Sequence, residues 1–232
     1  MKEKKDRKLQ MFCLDKAFGF MYDEDNLLMA SKWIVEGGKI RIFGEDVDLE
    51  LTKEQKYKFI ENFFASPYFD NETKKELKAL TFHGDNSDKG DRVKNLCDFS
   101  LPDADLKERI WDAVTDMKSE ESLQHLETKM QGFFKRQQQL NLIEPYFDKY
   151  FDVLGEVIDK KDREFAETFM NTLSPAFMAR DSDEKAFRDY LRNPVFKDRN
   201  FFILFLKKQM ETIETVKKSV ALCRASDPDS ES

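Results

Sequence analysis

The residues that could hold a metal or drive a hydrolysis in this chain are few, and their spacing is wrong for it. Only two histidines are present, His83 and His125, 42 positions apart. A zinc hydrolase helix of the H-E-x-x-H kind needs two imidazoles one turn apart and a glutamate to activate water. Here His83 is followed by Gly84 and His125 by Leu126. A packed or surface histidine is the plainer reading of His125. The carboxylates lie along helix-like stretches, where a solvated face is usual. No P-loop, G-x-S-x-G or dinucleotide fingerprint occurs, and Gly37-Gly38 reads as a helix stop rather than a phosphate loop. Cys13, Cys97 and Cys223 are odd in number and far apart, with no C-x-x-C. Reduced, mostly buried thiols in a cytoplasmic protein are expected. One basic cluster remains, Lys135-Arg136, followed by Gln137, Gln138 and Gln139. It is either a ligand-facing cluster or a solvated turn.

Composition narrows the class further. A net charge of −7 disfavours nucleic acid as a partner. The opening MKEKKDRK has no apolar segment of the signal-peptide kind, and the longest apolar run, Phe201 to Leu206, is too short to cross a membrane. Eight glycines, six prolines and no long β-branched alternation point to an all-helical chain, and 22 phenylalanines to an aromatic core.

The elements that would position any site centre on Leu123 to Ile158. Ile143, Tyr146, Phe147, Tyr150, Phe151, Leu154, Val157 and Ile158 recur at steps of three and four, the spacing of one helix face. Leu123, Leu126, Met130 and Phe133/Phe134 repeat the pattern upstream. Two helices joined by a short polar turn are expected, and neither stripe can be buried without neighbours. The aromatic set Tyr146, Phe147, Tyr150 and Phe151 could line a groove, but its helical spacing favours core.

The same rhythm runs through the chain. A first helix to about residue 22 should place Leu9, Phe12, Cys13, Ala17 and Phe20 on one side. A second follows from about Asn26 to Glu36, and Ile40, Ile42, Val47, Leu49 and Leu51 alternate as in a short hairpin or extended loop. Thr52-x-x-Gln55 is a capping box. Further helices are expected over Asn71–Phe82, Ser87–Phe99, Pro102–Met117 (stripe Leu106, Ile110, Ala113, Val114, Met117), Glu164–Phe177, Asp183–Leu191 and Arg199–Arg224. About eleven helices in antiparallel pairs predict an all-α fold, an α-solenoid of the HEAT/armadillo-like kind, over residues 1–225. The polar tail 226–232 is expected to be disordered.

Several of these stretches resemble the C-terminal helical domain of the M1 family of zinc aminopeptidases, of the aminopeptidase N type. Gly132-Phe133 and Leu142-x-x-Pro145-Tyr146-x-x-x-Tyr150-Phe151 carry the resemblance most clearly. Asn86-Ser87-Asp88-x-Gly90-x-Arg92 and Pro102-x-Ala104-x-x-Lys107-x-x-x-Trp111 carry it upstream, and Phe169 to Phe177 with Ser174-Pro175 downstream. It covers about Asn86 to Leu222. The family's zinc helix and its G-x-M-E-N motif are both missing here. The resemblance therefore implies a domain that caps an active site and limits peptide access, with no catalytic residue of its own. Zinc would belong to a catalytic domain elsewhere, and that domain would be the partner. It also implies that Lys135 and Arg136 could face the C-terminal end of a bound peptide. The alternative is a stand-alone helical-repeat scaffold for a protein partner.

Overall fold

The structure, a computed structural model, describes residues 2–37, 39–42, 45–48 and 51–225, apart from the side chains of 2–7, 10, 39–42, 45–48, 136, 195 and 225. The expected tail 226–232 and the place of Leu49 in the alternating stretch lie outside the described residues. The fold is all-α, with one two-stranded hairpin. The chain divides into two compact units, Met1–Glu144 and Pro145–Ser232.

The first unit holds α1 (Lys2–Gly19), α2 (Glu24–Val35), α3 (Lys53–Ala65), α4 (Asn71–Thr81), α5 (Asp88–Phe99), α6 (Ala104–Thr115), α7 (Leu123–Phe133) and α8 (Arg136–Ile143). Between α2 and α3 lies the hairpin of β1 (Lys39–Ile42) and β2 (Glu45–Asp48), antiparallel with Ile40 opposite Val47. Helices α1, α3, α5 and α7 pack in succession, each on the next, and α2, α4 and α6 lie against that row.

The starts of these helices follow from local chemistry. The first N–H groups of a helix lack partners, and a short polar side chain can accept from them. Asp23, Asp70, Ser87, Asp103 and Ser122 each accept from a backbone N–H two or three residues inside their helix. Thr52 and Gln55 form the reciprocal capping box expected from the sequence. Gly37 and Gly84 follow α2 and α4 with positive φ, the conformation in which a side chain would be strained.

The core of the first unit is aromatic. Phe18 of α1 meets Trp33 of α2 and Phe59 of α3 at ring separations of 6.2 and 6.0 Å. Tyr57 stacks on Phe82 at 5.4 Å, and Phe63 on Phe69 at 4.2 Å. Burial of such rings is the main favourable contribution to a fold of this kind.

Four local expectations are corrected. The Leu9–Phe20 stripe of α1 is the exposed one, while Met11, Leu14 and Phe18 face the core. On α6 the inward row is Lys107, Ile110, Trp111 and Val114, so a lysine takes the place expected of Leu106. The polar turn after α7 is itself a helix, α8, kinked at Gln139. Of the three cysteines only Cys97 is buried, and Cys13 and Cys223 are exposed.

The second unit holds α9 (Tyr146–Lys160), α10 (Arg163–Leu173), α11 (Asp181–Arg192) and α12 (Asn200–Ala225). Pro175 to Met178 form a 3-10 turn, so α10 stops before Ser174-Pro175 instead of running on to Phe177. Residue 179 then takes the left-handed conformation at φ 51°, unusual for alanine. Phe147, Tyr150, Leu154, Val157 and Ile158 of α9 are buried, so the aromatic set reads as core. Tyr150 stacks on Phe169 of α10 at 5.5 Å. Its hydroxyl is buried and has no hydrogen-bond partner among the described residues. An unpaired buried hydroxyl costs free energy that a phenyl ring does not. Tyr150→Phe is therefore expected to leave stability unchanged or raise it by up to about 1 kcal/mol, measured by urea unfolding. A loss of that size would mean that the hydroxyl has a partner.

Candidate functional site

Helix ends converge in the interior of the first unit. The last carbonyls of a helix have no partner within it, and buried ends need donors from elsewhere. Lys107 Nζ, fully buried, donates to the Gly132 carbonyl near the end of α7 at 2.8 Å and reaches the Phe99 carbonyl ending α5 at 3.4 Å. The Gln139 amide donates to Ala65 at the end of α3 (2.7 Å) and to Ser100 after α5 (2.6 Å). Its Oε1 is buried and unpaired among the described residues. Lys74 Nζ donates to Ser66, just past α3, at 2.6 Å. A cation at a helix C-terminus also meets the negative end of the helix dipole.

Burial weakens the charge on these lysines. It brings the Lys107 ammonium down to about 7, with nearby Lys135 acting in the same direction. It brings Lys74 down to about 8. The Cys97 thiol is pushed up by burial, so it is a packed thiol rather than a nucleophile.

Lys135 lies beside this cluster, half-buried, where α7 gives way to α8. Burial lowers its pKa, while Glu61 and Cys97 oppose the shift. Glu61 is half-buried on α3, and burial raises its carboxyl. The side chain of Arg136 lies outside the described residues. Of the glutamines that follow, Gln138 donates to the Asn62 carbonyl at 2.9 Å, and Gln139 closes the helix ends described above. This stretch is therefore built into the packing of the unit. Sequence reasoning missed Lys107 and Gln139 as interior groups. The available signal was position: Lys107 stands three and four residues before Ile110 and Trp111, on their face of the helix.

The surface beside the cluster is grooved. One groove, about 250 Å³, runs between α3, α5 and α7, with Glu61, Lys89, Arg92 and Glu127 among its walls. A second, about 310 Å³, lies between α1 and α3 and shares Glu61. Charged groups of both signs line them. His83 is exposed, and His125 stands edge-on to Phe99 at 5.4 Å, with Nε2 3.5 Å from Glu121. Neither adjoins these grooves, and the described residues contain no group of three His, Cys, Asp or Glu placed to hold a metal ion.

The motif residues of the sequence meet in space. Ser87 caps α5 through Gly90 N–H, and Asp85 accepts from both Ser87 N–H (3.1 Å) and Ser87 Oγ (2.7 Å). Tyr57 donates a short hydrogen bond to the same carboxylate. These hydrogen bonds, that of Tyr57 first, hold the Asp85 carboxyl well below the usual carboxylate range. A side chain at Gly90 would meet that carboxylate at 3.0 Å. Lys107 bonds to Gly132, and Trp111 meets the Phe133 ring at 5.8 Å. The chain matches no protein-family model and no curated protein.

Proposed function

We propose that this chain is the helical domain that caps the active site of an M1-type zinc aminopeptidase, limiting which peptides reach the metal while N-terminal amino acids are removed. The observation that carries the reading is the contact between two separate parts of the resemblance. Lys107 and Trp111 of one motif pack on Gly132 and Phe133 of another, from neighbouring helices. Residues that recur together because they touch support a shared fold rather than a chance likeness. In this reading zinc and the catalytic groups belong to a partner domain, and the chain supplies shape and charge. Lys135 and Arg136 are the basic groups assigned to the C-terminal end of the peptide.

The test is to recover the native protein from its source cells with an antibody to this chain and to assay it on aminoacyl nitroanilides. The expected result is hydrolysis that a chelator abolishes, carried by a species well above 27.5 kDa, while the purified chain alone is inactive. An inactive precipitate overturns the reading. So does chelator-sensitive turnover by the isolated chain.

A further inference from the structure

Helix α1 carries apolar side chains on two opposite faces. Met11, Leu14 and Phe18 follow one another at steps of three and four and pack on the core. Around them α1 is fixed to α3: the Gln55 amide donates to the Met11 carbonyl at 3.2 Å and the Asn62 amide to Phe18 at 2.8 Å. Half a turn away lie Leu9, Phe12 and, just beyond the helix end, Phe20. These are 62%, 59% and 76% exposed. A helix that is apolar all round is normally covered all round, and exposed apolar groups gathered on one face mark an interaction site. Nothing among the described residues covers this face.

Charge narrows what could cover it. Six basic and three acidic residues fall between Lys2 and Lys16, in a chain whose net charge is −7. Lys8 is exposed beside Leu9, and Lys16 Nζ stands over the Phe12 ring, 5.4 Å from its centre. Asp15, the nearest acid, is held by Lys58 at 2.5 Å. The outer face of α1 is thus an apolar strip with a basic rim. Pairing it with the same face of a second copy would set positive charge against positive charge.

We infer that the outer face of α1 is a docking surface for a different protein, whose contact patch is apolar at its centre and rimmed by carboxylates. The inference stands apart from the aminopeptidase reading, since any partner with that patch satisfies it. The test places a benzophenone-bearing residue at position 12 of the full chain in its source cells. Cross-linked partners are then identified, and the linked position mapped, by mass spectrometry. Phe12 lies outside the core, so its replacement leaves the fold intact. The expected product is a single protein other than this chain, linked at an apolar position with Asp or Glu close by. Its yield should fall by about fivefold or more when Lys8 and Lys16 are both changed to Glu. The same probe at Leu80, an exposed position on α4, should give no such product. Linkage to a second copy, linkage to lipid, no linkage, or a yield unmoved by charge reversal overturns the inference. A partner bearing an H-E-x-x-H helix supports the proposed function as well. A partner without one leaves the docking surface standing and counts against that function.

Discussion

Gly132→Ala is expected to destabilise the first unit by about 3 kcal/mol, at the upper end of what overpacking a core contact costs. The reason is close approach. A Cβ at position 132 would lie 2.5 Å from Phe99 Cβ, 2.8 Å from the Phe99 carbonyl carbon and 3.0 Å from its oxygen. Two of these atoms are backbone and cannot swing aside, so α5 and α7 would have to part. Parting them also loosens the Lys107 hydrogen bond to the Gly132 carbonyl. Gly155→Ala in α9 is the matched control. Its nearest neighbour would be 3.6 Å away, an ordinary contact, and alanine is the better helix former by about 1 kcal/mol. Thermal or urea unfolding of the two variants should therefore move in opposite directions. Equal and small effects would mean that α5 and α7 do not pack at this distance.

The second large effect is a rise in stability with pH. The usual lysine pKa near 10.5 holds in the unfolded chain, whereas burial brings Lys107 to about 7 and Lys74 to about 8 when folded. Between those values the unfolded chain binds more protons, so stability rises as pH rises. Below about pH 7 both states hold the proton on Lys107, and the cost of burying the charge is fully present. Above 10.5 neither state does, and the cost is gone. From pH 7 to 9.5 the Lys107 contribution alone is about 3 kcal/mol. Urea unfolding at these two pH values should show the rise in the parent chain. Lys107→Met should remove most of it and leave the smaller share of Lys74. A parent chain equally stable at both pH values would mean that Lys107 stays fully charged inside the fold.

These effects also mark where sequence reading stops. Helix starts were legible at Thr52, and the ends at Gly37 and Gly84 also stood out, because a cap is a local matter between residues three or four apart. The inward face of α9 was legible for the same reason: its apolar residues keep one period. Helix α1 misled, because two opposed apolar rows leave no single favoured side, and only packing against α2 and α3 decides which row goes in. Lys74, Lys107 and Gln139 read as surface groups by residue type. Their burial depends on carbonyls from helices distant in sequence, which no local pattern announces. At the Lys135-Arg136 cluster the sequence offered basic residues, and the structure adds that Lys135 lies beside Glu61 in an interior setting.

In a row of stacked helices each member ordinarily answers only to its neighbours, and melting can begin at any one of them. The joined helix ends of the first unit change that. The Gln139 amide ties α3 to α5, and the Lys107 ammonium ties α5 to α7. Loss of either donor withdraws a partner from two helices at once. The tight middle of the row thereby behaves as a cooperative block, and fraying is left to α1 and to the outer turns.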